Sequence, residues 1–328
     1  MHKEVIDISS NGTKVEASPK NEHILQSELW EKFQKSLGKK VVTSHHRDYS
    51  FLATIEDTPV GRYLSVPYGP HLSDGNALRP ALADLRTVAK REKAIFIRIE
   101  PAIHFSETEL QKFGAVKSKD INPAETWVIA LPKERERLLQ TLPRRLRGYY
   151  NTHEKKGITI KKSHDPSDIR FLADLQKKTF QSKNIHPFSQ TYLAKELEQD
   201  FATLYLAEYD SKIIAAILVF DDPYTRYYMQ AASDKSYAKL NANGIITAQA
   251  IIDAWKAGIK EFDFWGIAPD DAPKDHPWAG FTAFKKSFAG AAKYYSGTYD
   301  IPINRARFAL YKLLRKINLL LRGSKGQA

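Results

Sequence analysis

Arg226-Tyr227-Tyr228-Met229-Gln230-Ala231, a polar loop, the apolar-striped segment 244–258 and then Glu261-Phe262-Asp263-Phe264-Trp265 decide the fold. The first and last runs are aromatic enough to predict strands. Between them Ile245, Ala248, Ile252, Trp255 and Ile259 recur at three and four residues, which predicts a helix with one buried stripe. Gly258 is placed to end it, and the next strand follows directly. A strand, a helix and a strand so closely joined predict a crossover connection in a mixed sheet.

Working outward, the same order occurs once before. Arg62–Pro67 reads as a strand, Tyr68–Asn76 as a loop, 77–91 as a helix with Leu78, Leu82, Leu85 and Ala89 on one face, and Ala94–Ile99 as a strand. Two such sets suggest a duplicated α/β module, although any two α/β domains look alike at this level. Around the first set, a helix is expected over Ile24–Leu37 and strands over Val41–His45, Tyr49–Ile55 and Glu125–Leu131. Around the second, helices are expected near 166–182 and 189–199, with strands at Thr203–Glu208 and Lys212–Phe220. Residues 1–22 read as a loose polar leader without the apolar core of a signal peptide.

The chain has 328 residues, of which 42% are hydrophobic, enough for two ordinary cores. It has no cysteine, which excludes disulfides, thiolate nucleophiles and cysteine-ligated metals. No run approaches the ~20 apolar residues of a membrane span. These features together predict a cytoplasmic protein. The net charge of +12 favours anionic partners.

That charge is concentrated. Residues 133–162 hold ten lysines and arginines against three glutamates, a surplus of seven. Such a connector fits either a polynucleotide contact or a solvated interdomain helix. The chain closes on a basic amphipathic helix, about Arg305–Leu321. Leu310, Leu313, Leu314, Ile317 and Leu321 lie on one side and Lys312, Arg315, Lys316 and Arg322 on the other. Docking on the protein's own core is the default for such a helix, and a peripheral contact with the anionic inner leaflet is the other reading.

Hard catalytic motifs are missing: no Gly-x-x-x-x-Gly-Lys loop, no Gly-x-Gly-x-x-Gly, no Gly-x-Ser-x-Gly. Asp270, Asp271 and Asp275 crowd one proline-rich loop, but without a calcium-site spacing, and no metal is expected. The informative stretch is Phe262–Tyr299. There Phe281, Phe284 and Phe288 share a helical face, with Lys285 beside it. A lysine pair such as Lys285-Lys286 is usually solvated. Among aromatic neighbours a half-buried ammonium becomes possible, able to stabilise an oxyanion or a phosphate.

Taken in order, Tyr227-Tyr228-Met229-Gln230-Ala231-Ala232-Ser233, the 244–258 helix, Glu261-Phe262-Asp263-Phe264-Trp265-Gly266-Ile267, Phe284-Lys285-Lys286-Ser287-Phe288 and Tyr299-Asp300-Ile301-Pro302-Ile303-Asn304 resemble the Fem family of peptidoglycan bridge-forming aminoacyltransferases. Leu25-Gln26-Ser27-x-x-Trp30 and Lys155-Lys156-Gly157-Ile158 also look family-like. The resemblance covers about residues 22 to 315 and rests on joint order; each piece alone is unspecific.

The resemblance implies an α/β fold of two tandem GNAT-like (acetyltransferase-like) domains with mixed sheets. The first would span 1–145 and be completed by the C-terminal helix 301–328; the second would span 146–300. It implies the short form, since no long heptad insertion interrupts the chain. It implies transfer of an amino acid from aminoacyl-tRNA to a stem-peptide amine of a UDP-linked muramyl pentapeptide or lipid II, by a monomer without cofactor. Lys285 matches the family's catalytic-region lysine and Phe284 its preceding aromatic. Either Lys32 or Lys35, near Trp30, would meet acceptor phosphates, and Tyr192 would be an acceptor-site tyrosine. His186 stands where a short member would offer arginine, and Gln230 where many have tyrosine. Tyr228 and Asp263 complete the expected substrate side. Arg144, Arg145, Arg147, Lys155 and Lys156 would meet tRNA phosphates.

An ester-to-amide transfer needs positioning and oxyanion stabilisation more than a strong protein base. No histidine–carboxylate pair stands near the Phe284–Phe288 element in sequence, so little general-base chemistry is expected from side chains. The rival is an acyl-CoA N-acyltransferase, which cradles a pyrophosphate on a glycine-rich helix start. The equivalent stretch, Lys239-Leu240-Asn241-Ala242-Asn243-Gly244, has one glycine.

Overall fold

The computed structural model describes residues 22–180, 188–273, 276 and 278–324, together with the two-residue strand Val15–Glu16. The leader expected before Glu22 otherwise lies outside these residues. The chain forms two compact units. One is built on Glu125–Lys293 and takes in Val15, the other on Glu16–Ala124 together with the residues from Tyr294 onward.

The unit Glu125–Lys293 is organised on an eight-stranded sheet. Its order is Val15–Glu16, Ala291–Tyr294, Glu125–Ala130, Glu261–Gly266, Thr225–Ser233, Lys212–Asp221, Ala202–Tyr209 and Ile158–Ser163. The strand Lys212–Asp221 has an unbroken apolar run because both its faces are covered. Ala215, Ile217 and Val219 join the core under the helix Ala242–Lys256, while Ala216, Leu218 and Phe220 are buried outside that cluster. The helix Ile169–Phe180 packs on Lys212–Asp221 and Thr225–Ser233.

The strands Thr225–Ser233 and Glu261–Gly266 pair in parallel, and the pairing is short. Thr225, Arg226 and Tyr227 pair with Glu261, Phe262 and Asp263. Beyond that, Thr225–Ser233 continues along Lys212–Asp221, with a bulge at Met229, and Glu261–Gly266 continues along Glu125–Ala130. The two strands therefore part after Tyr227 and Asp263, opening the sheet on the side of Gln230 and Gly266.

The other unit repeats strand, loop, helix, strand. Gly61–Val66 and Ala94–Ile99 form the parallel pair, and the helix Leu78–Arg91 connects them. Its buried stripe is the expected one: Leu78, Leu82, Leu85 and Ala89 are all at or near zero exposure. Here the parallel register runs from Arg62 to Val66. The strand Tyr299–Pro302 then adds antiparallel to Ala94–Ile99, and the guanidinium of Arg98 grips Asp300 through two bonds of 2.8 and 3.0 Å. The last helix, Arg305–Ser324, lays Phe308 and Tyr311 against Phe96.

Two mixed-sheet α/β units with crossover helices are the architecture expected from the sequence. The division falls elsewhere. The expected boundary was 145/146, but Glu125–Ala130 belongs with the later sheet, because its partner is Glu261–Gly266, more than a hundred residues away. The chain returns to the other unit at Tyr294 rather than at 301.

Candidate active site

The strand Glu261–Gly266 ends on a backbone distortion. Trp265 takes φ +63°, the left-handed region that a tryptophan enters only when its surroundings hold it there. The ladder to Glu125–Ala130 slips at the same point: Asp263 faces Val128, and the next pair is Gly266 with Thr126. Asp263 pins the turn, since its Oδ1 accepts the Trp265 N–H at 2.7 Å and its Oδ2 the Thr126 hydroxyl at 3.1 Å.

The slip presents the Gly266 carbonyl to the helix Ala279–Lys286. Lys285 Nζ donates to that oxygen at 2.5 Å. The adjacent Lys286 turns the other way, to Asp270 at 2.7 Å. The lysine pair is therefore split between an inward and an outward role, which periodicity alone could not assign. Phe284 is half-buried, 6.4 Å from the ring of Phe264 and 5.4 Å from that of Phe288.

Burial shifts both charged groups. It pulls the Lys285 ammonium down to about 8, against the nearby Asp263 charge that favours the cation. It pushes Asp263, 1% exposed, up to about 6, opposed by the Lys293 charge and the two hydrogen bonds. At neutral pH the pair is an ammonium and a carboxylate, with Lys285 unusually ready to lose its proton.

The remaining expected residues divide. Gln230 lies on the parted strand, and its Oε1 accepts from Gln176 Nε2 at 2.9 Å. Gln176 was not anticipated: it is 1% exposed, and its own Oε1 is buried without a partner. Tyr228 is 5% exposed and its hydroxyl is hydrogen-bonded with Asn243, so burial lifts the phenol to about 12. It acts as core rather than as an open contact. Tyr192 stacks on Phe188 at 5.2 Å and hydrogen-bonds Glu196, a second unanticipated residue, whose carboxyl burial raises to about 8. A carboxyl hidden on an apolar helix face leaves no periodic signal. His186, Asp275, Leu321 and Arg322 fall where no side chain is described.

Trp30, Lys32 and Lys35 sit on the helix Glu28–Ser36 of the other unit. Trp30 is 8% exposed, 5.0 Å from Phe33, and so faces inward. Lys32 is exposed, and Lys35 pairs with Glu31 at 2.6 Å.

The basic segment forms the helix Arg144–Thr152 and the turn Glu154–Lys156. Arg144, Arg145, Lys155 and Lys156 are exposed and Arg147 is half-buried. The Tyr149 ring is bracketed by the Arg145 guanidinium at 5.6 Å and the Lys156 ammonium at 4.7 Å. Beside it opens a cleft of about 560 Å³ lined by Tyr150, His153, Gly157, Thr159, Lys162 and Gln249, among others. Exposed cations interleaved with aromatic rings can meet phosphates and bases together.

At the helix start that a CoA pyrophosphate would need, the backbone of Gly244 is closely packed. Gly244 is buried, and a Cβ there would meet the Asn241 side chain at 2.8 Å and Leu146 at 2.9 Å. Leu146, 3% exposed, comes from the basic helix itself, which packs over that turn.

Residues 181–316 match the FemAB family. A lipid II:glycine glycyltransferase of Staphylococcus aureus is 29% identical over 168 residues, 46% of this chain and 39% of that protein. The chain thus spans well under half the length of the curated relative it matches. Among solved structures, FemX superposes with a TM-score of 0.75 at 18% identity, covering 89% of this chain and 95% of its own. The L-PGS of Bacillus licheniformis superposes at 0.54 and 14% identity, covering 93% and 99%. At these identities the superpositions speak for the fold alone. The segment 181–316, which is similar to the FemAB family, contains Gln230, Asp263, Phe284 and Lys285.

Proposed function

We propose that the chain is an aminoacyltransferase that moves an amino acid from aminoacyl-tRNA onto a stem-peptide amine of a peptidoglycan precursor, either UDP-linked muramyl pentapeptide or lipid II. The observation that carries this reading is the Lys285 ammonium, drawn in to the Gly266 carbonyl where the parallel strands part, with Asp263 fixed behind it.

The acceptor nitrogen attacks the ester carbonyl carbon, a C–N bond forms, and the carbonyl oxygen becomes an oxyanion. The C–O bond to the ribose then breaks, the ribose hydroxyl leaves with a proton, and the amine has lost one. Lys285 has three N–H donors, one of them engaged by Gly266, so the others can meet the oxyanion. Asp263 is a positioning residue. Its charge keeps Lys285 protonated, and its bond to the Trp265 N–H holds the bulge that aims the Gly266 carbonyl. Phe284 excludes water along the lysine stem.

The donor side rests on the basic helix, where Arg144, Arg145, Arg147, Lys155 and Lys156 would contact phosphates with little sequence preference. Trp30, Lys32, Lys35, Tyr192 and His186 are assigned to the acceptor side by resemblance, and of these Trp30 would act from the core. The buried turn at Gly244 weighs against the acyl-CoA alternative.

The test mixes purified protein with a charged tRNA pool and UDP-muramyl pentapeptide, with acetyl-CoA as the parallel donor, and reads products by mass. An aminoacyl increment dependent on charged tRNA supports the reading. An acetylated product without an aminoacylated one overturns it.

A further inference from the structure

The last helix has two apolar faces, and among the described residues only one is covered. Phe308 is 7% exposed and, with Tyr311, packs on Phe96. On the opposite side Ala306, Leu310, Leu313 and Ile317 follow one another at four, three and four residues, which aligns them in one stripe. Leu310 is 45% exposed, Leu313 54% and Ile317 41%. They account for three of the seven large exposed hydrophobic residues among the described ones. Scattered exposed apolar residues need no explanation; a stripe along one helix does.

The flanks of the stripe are cationic. Arg305, Lys312 and Lys316 run along one edge and Arg307 along the other, all exposed, and no aspartate or glutamate occurs from Arg305 to the end of the sequence. Lys312 lies 5.8 Å from the Phe308 ring, its stem along the packed side and its charge at the edge. An apolar stripe edged by cations and free of acid matches an anionic bilayer surface: the leucines enter the acyl boundary while the amines meet headgroup phosphates. A protein partner would need acidic groups at both edges and a dry groove between, whereas a lipid surface supplies both without a specific match. Among the described residues no helix is long and apolar enough to cross a membrane, so the contact would lie in the plane of the interface.

We propose that the outward stripe Ala306–Leu310–Leu313–Ile317 is a docking surface for an anionic lipid bilayer. This does not depend on the transfer reaction and stands or falls separately from it.

The full-length protein is centrifuged with vesicles of phosphatidylcholine alone, or of phosphatidylcholine and phosphatidylglycerol in equal parts. The expected result is binding to the anionic vesicles only, weakened by added salt. The double variants Leu310→Ser/Leu313→Ser and Lys312→Glu/Lys316→Glu each lower the partition on the order of tenfold. Leu310→Ser/Leu313→Ser should leave the melting curve unchanged, since the packed residues are untouched, and neither variant should alter transfer to a water-soluble acceptor. Equal binding to both vesicle types would overturn the proposal, as would unchanged binding in both variants. So would a change confined to oligomeric state, which would make the stripe a contact between copies of the chain.

Discussion

Among the described residues, the ammonium of Lys285 is held by one backbone acceptor, the carbonyl of Gly266, 2.5 Å away on a strand end that Trp265 bends through left-handed φ. A lysine bound to a carbonyl rather than to a carboxylate keeps donors to offer and keeps its charge only conditionally. Asp263 supports that charge from within the strand.

Lys285 should therefore titrate near 8, below an ordinary lysine, because burial opposes its charge. Amine-labelling rates followed against pH would show it. Oxyanion stabilisation is present below that value and is lost as pH rises through it. Lys285→Arg should carry the alkaline limb of the transfer rate to higher pH, at reduced rate. Asp263→Asn should lower the Lys285 value further. Titration of Lys285 in the usual lysine range would contradict the geometry.

Asp263 makes a second prediction, about stability. Burial lifts its folded value to about 6, above the 3.8 of a free aspartate, so the native state holds the extra proton between the two. That stability is fully present below the lower value and is lost as pH rises through about 6. The size is up to about 3 kcal/mol, at 1.36 kcal/mol per unit. Denaturant melts of Asp263→Asn from pH 4 to 7 should show a flatter dependence than the natural protein.

Trp265 should reveal its backbone strain by comparison of two variants. Both Trp265→Ala and Trp265→Gly lose the edge contact with Tyr227, but only glycine accepts φ +63° without cost. Trp265→Gly should be the more stable by about 1 kcal/mol in denaturant melts. Equal stability would mean that the bulge is unstrained.

The Tyr149 bracket should control polynucleotide affinity. Arg145→Gln/Lys156→Gln is expected to weaken tRNA binding without changing its sequence preference. The slope of log affinity against log salt should shrink by about 2. An unchanged slope would return the helix Arg144–Thr152 to a solvated role.

Arg98 and Asp300 join the strand Ala94–Ile99 to a strand about two hundred residues later, both side chains almost fully buried. Removing one partner leaves an uncompensated charge, so Arg98→Ala should cost about 3–5 kcal/mol in thermal or denaturant unfolding.

How far the sequence carried this picture depended on the range of each signal. Helix stripes such as Leu78–Leu82–Leu85–Ala89 and Ile245–Ala248–Ile252 are local, and they stand where periodicity put them. The pairing of Glu125–Ala130 with Glu261–Gly266 is not local, and the unit boundary moved with it. Lys285 and Phe284 stood out as a lysine on an aromatic helix face, but its acceptor did not, because a carbonyl exposed by a bulge leaves no mark on residue types. Trp30, expected beside the acceptor, is buried against Phe33. Gln176 and Glu196 were missed because one polar residue on a buried stripe is indistinguishable from noise until its partner is known.

The most direct test is the rate of aminoacyl transfer by Lys285→Ala, measured at saturating charged tRNA and precursor beside its melting curve. The account predicts a fall on the order of a hundredfold or more with the melt nearly unchanged, since the side chain holds one carbonyl and no core contact depends on it. Natural turnover in a folded Lys285→Ala protein would contradict it.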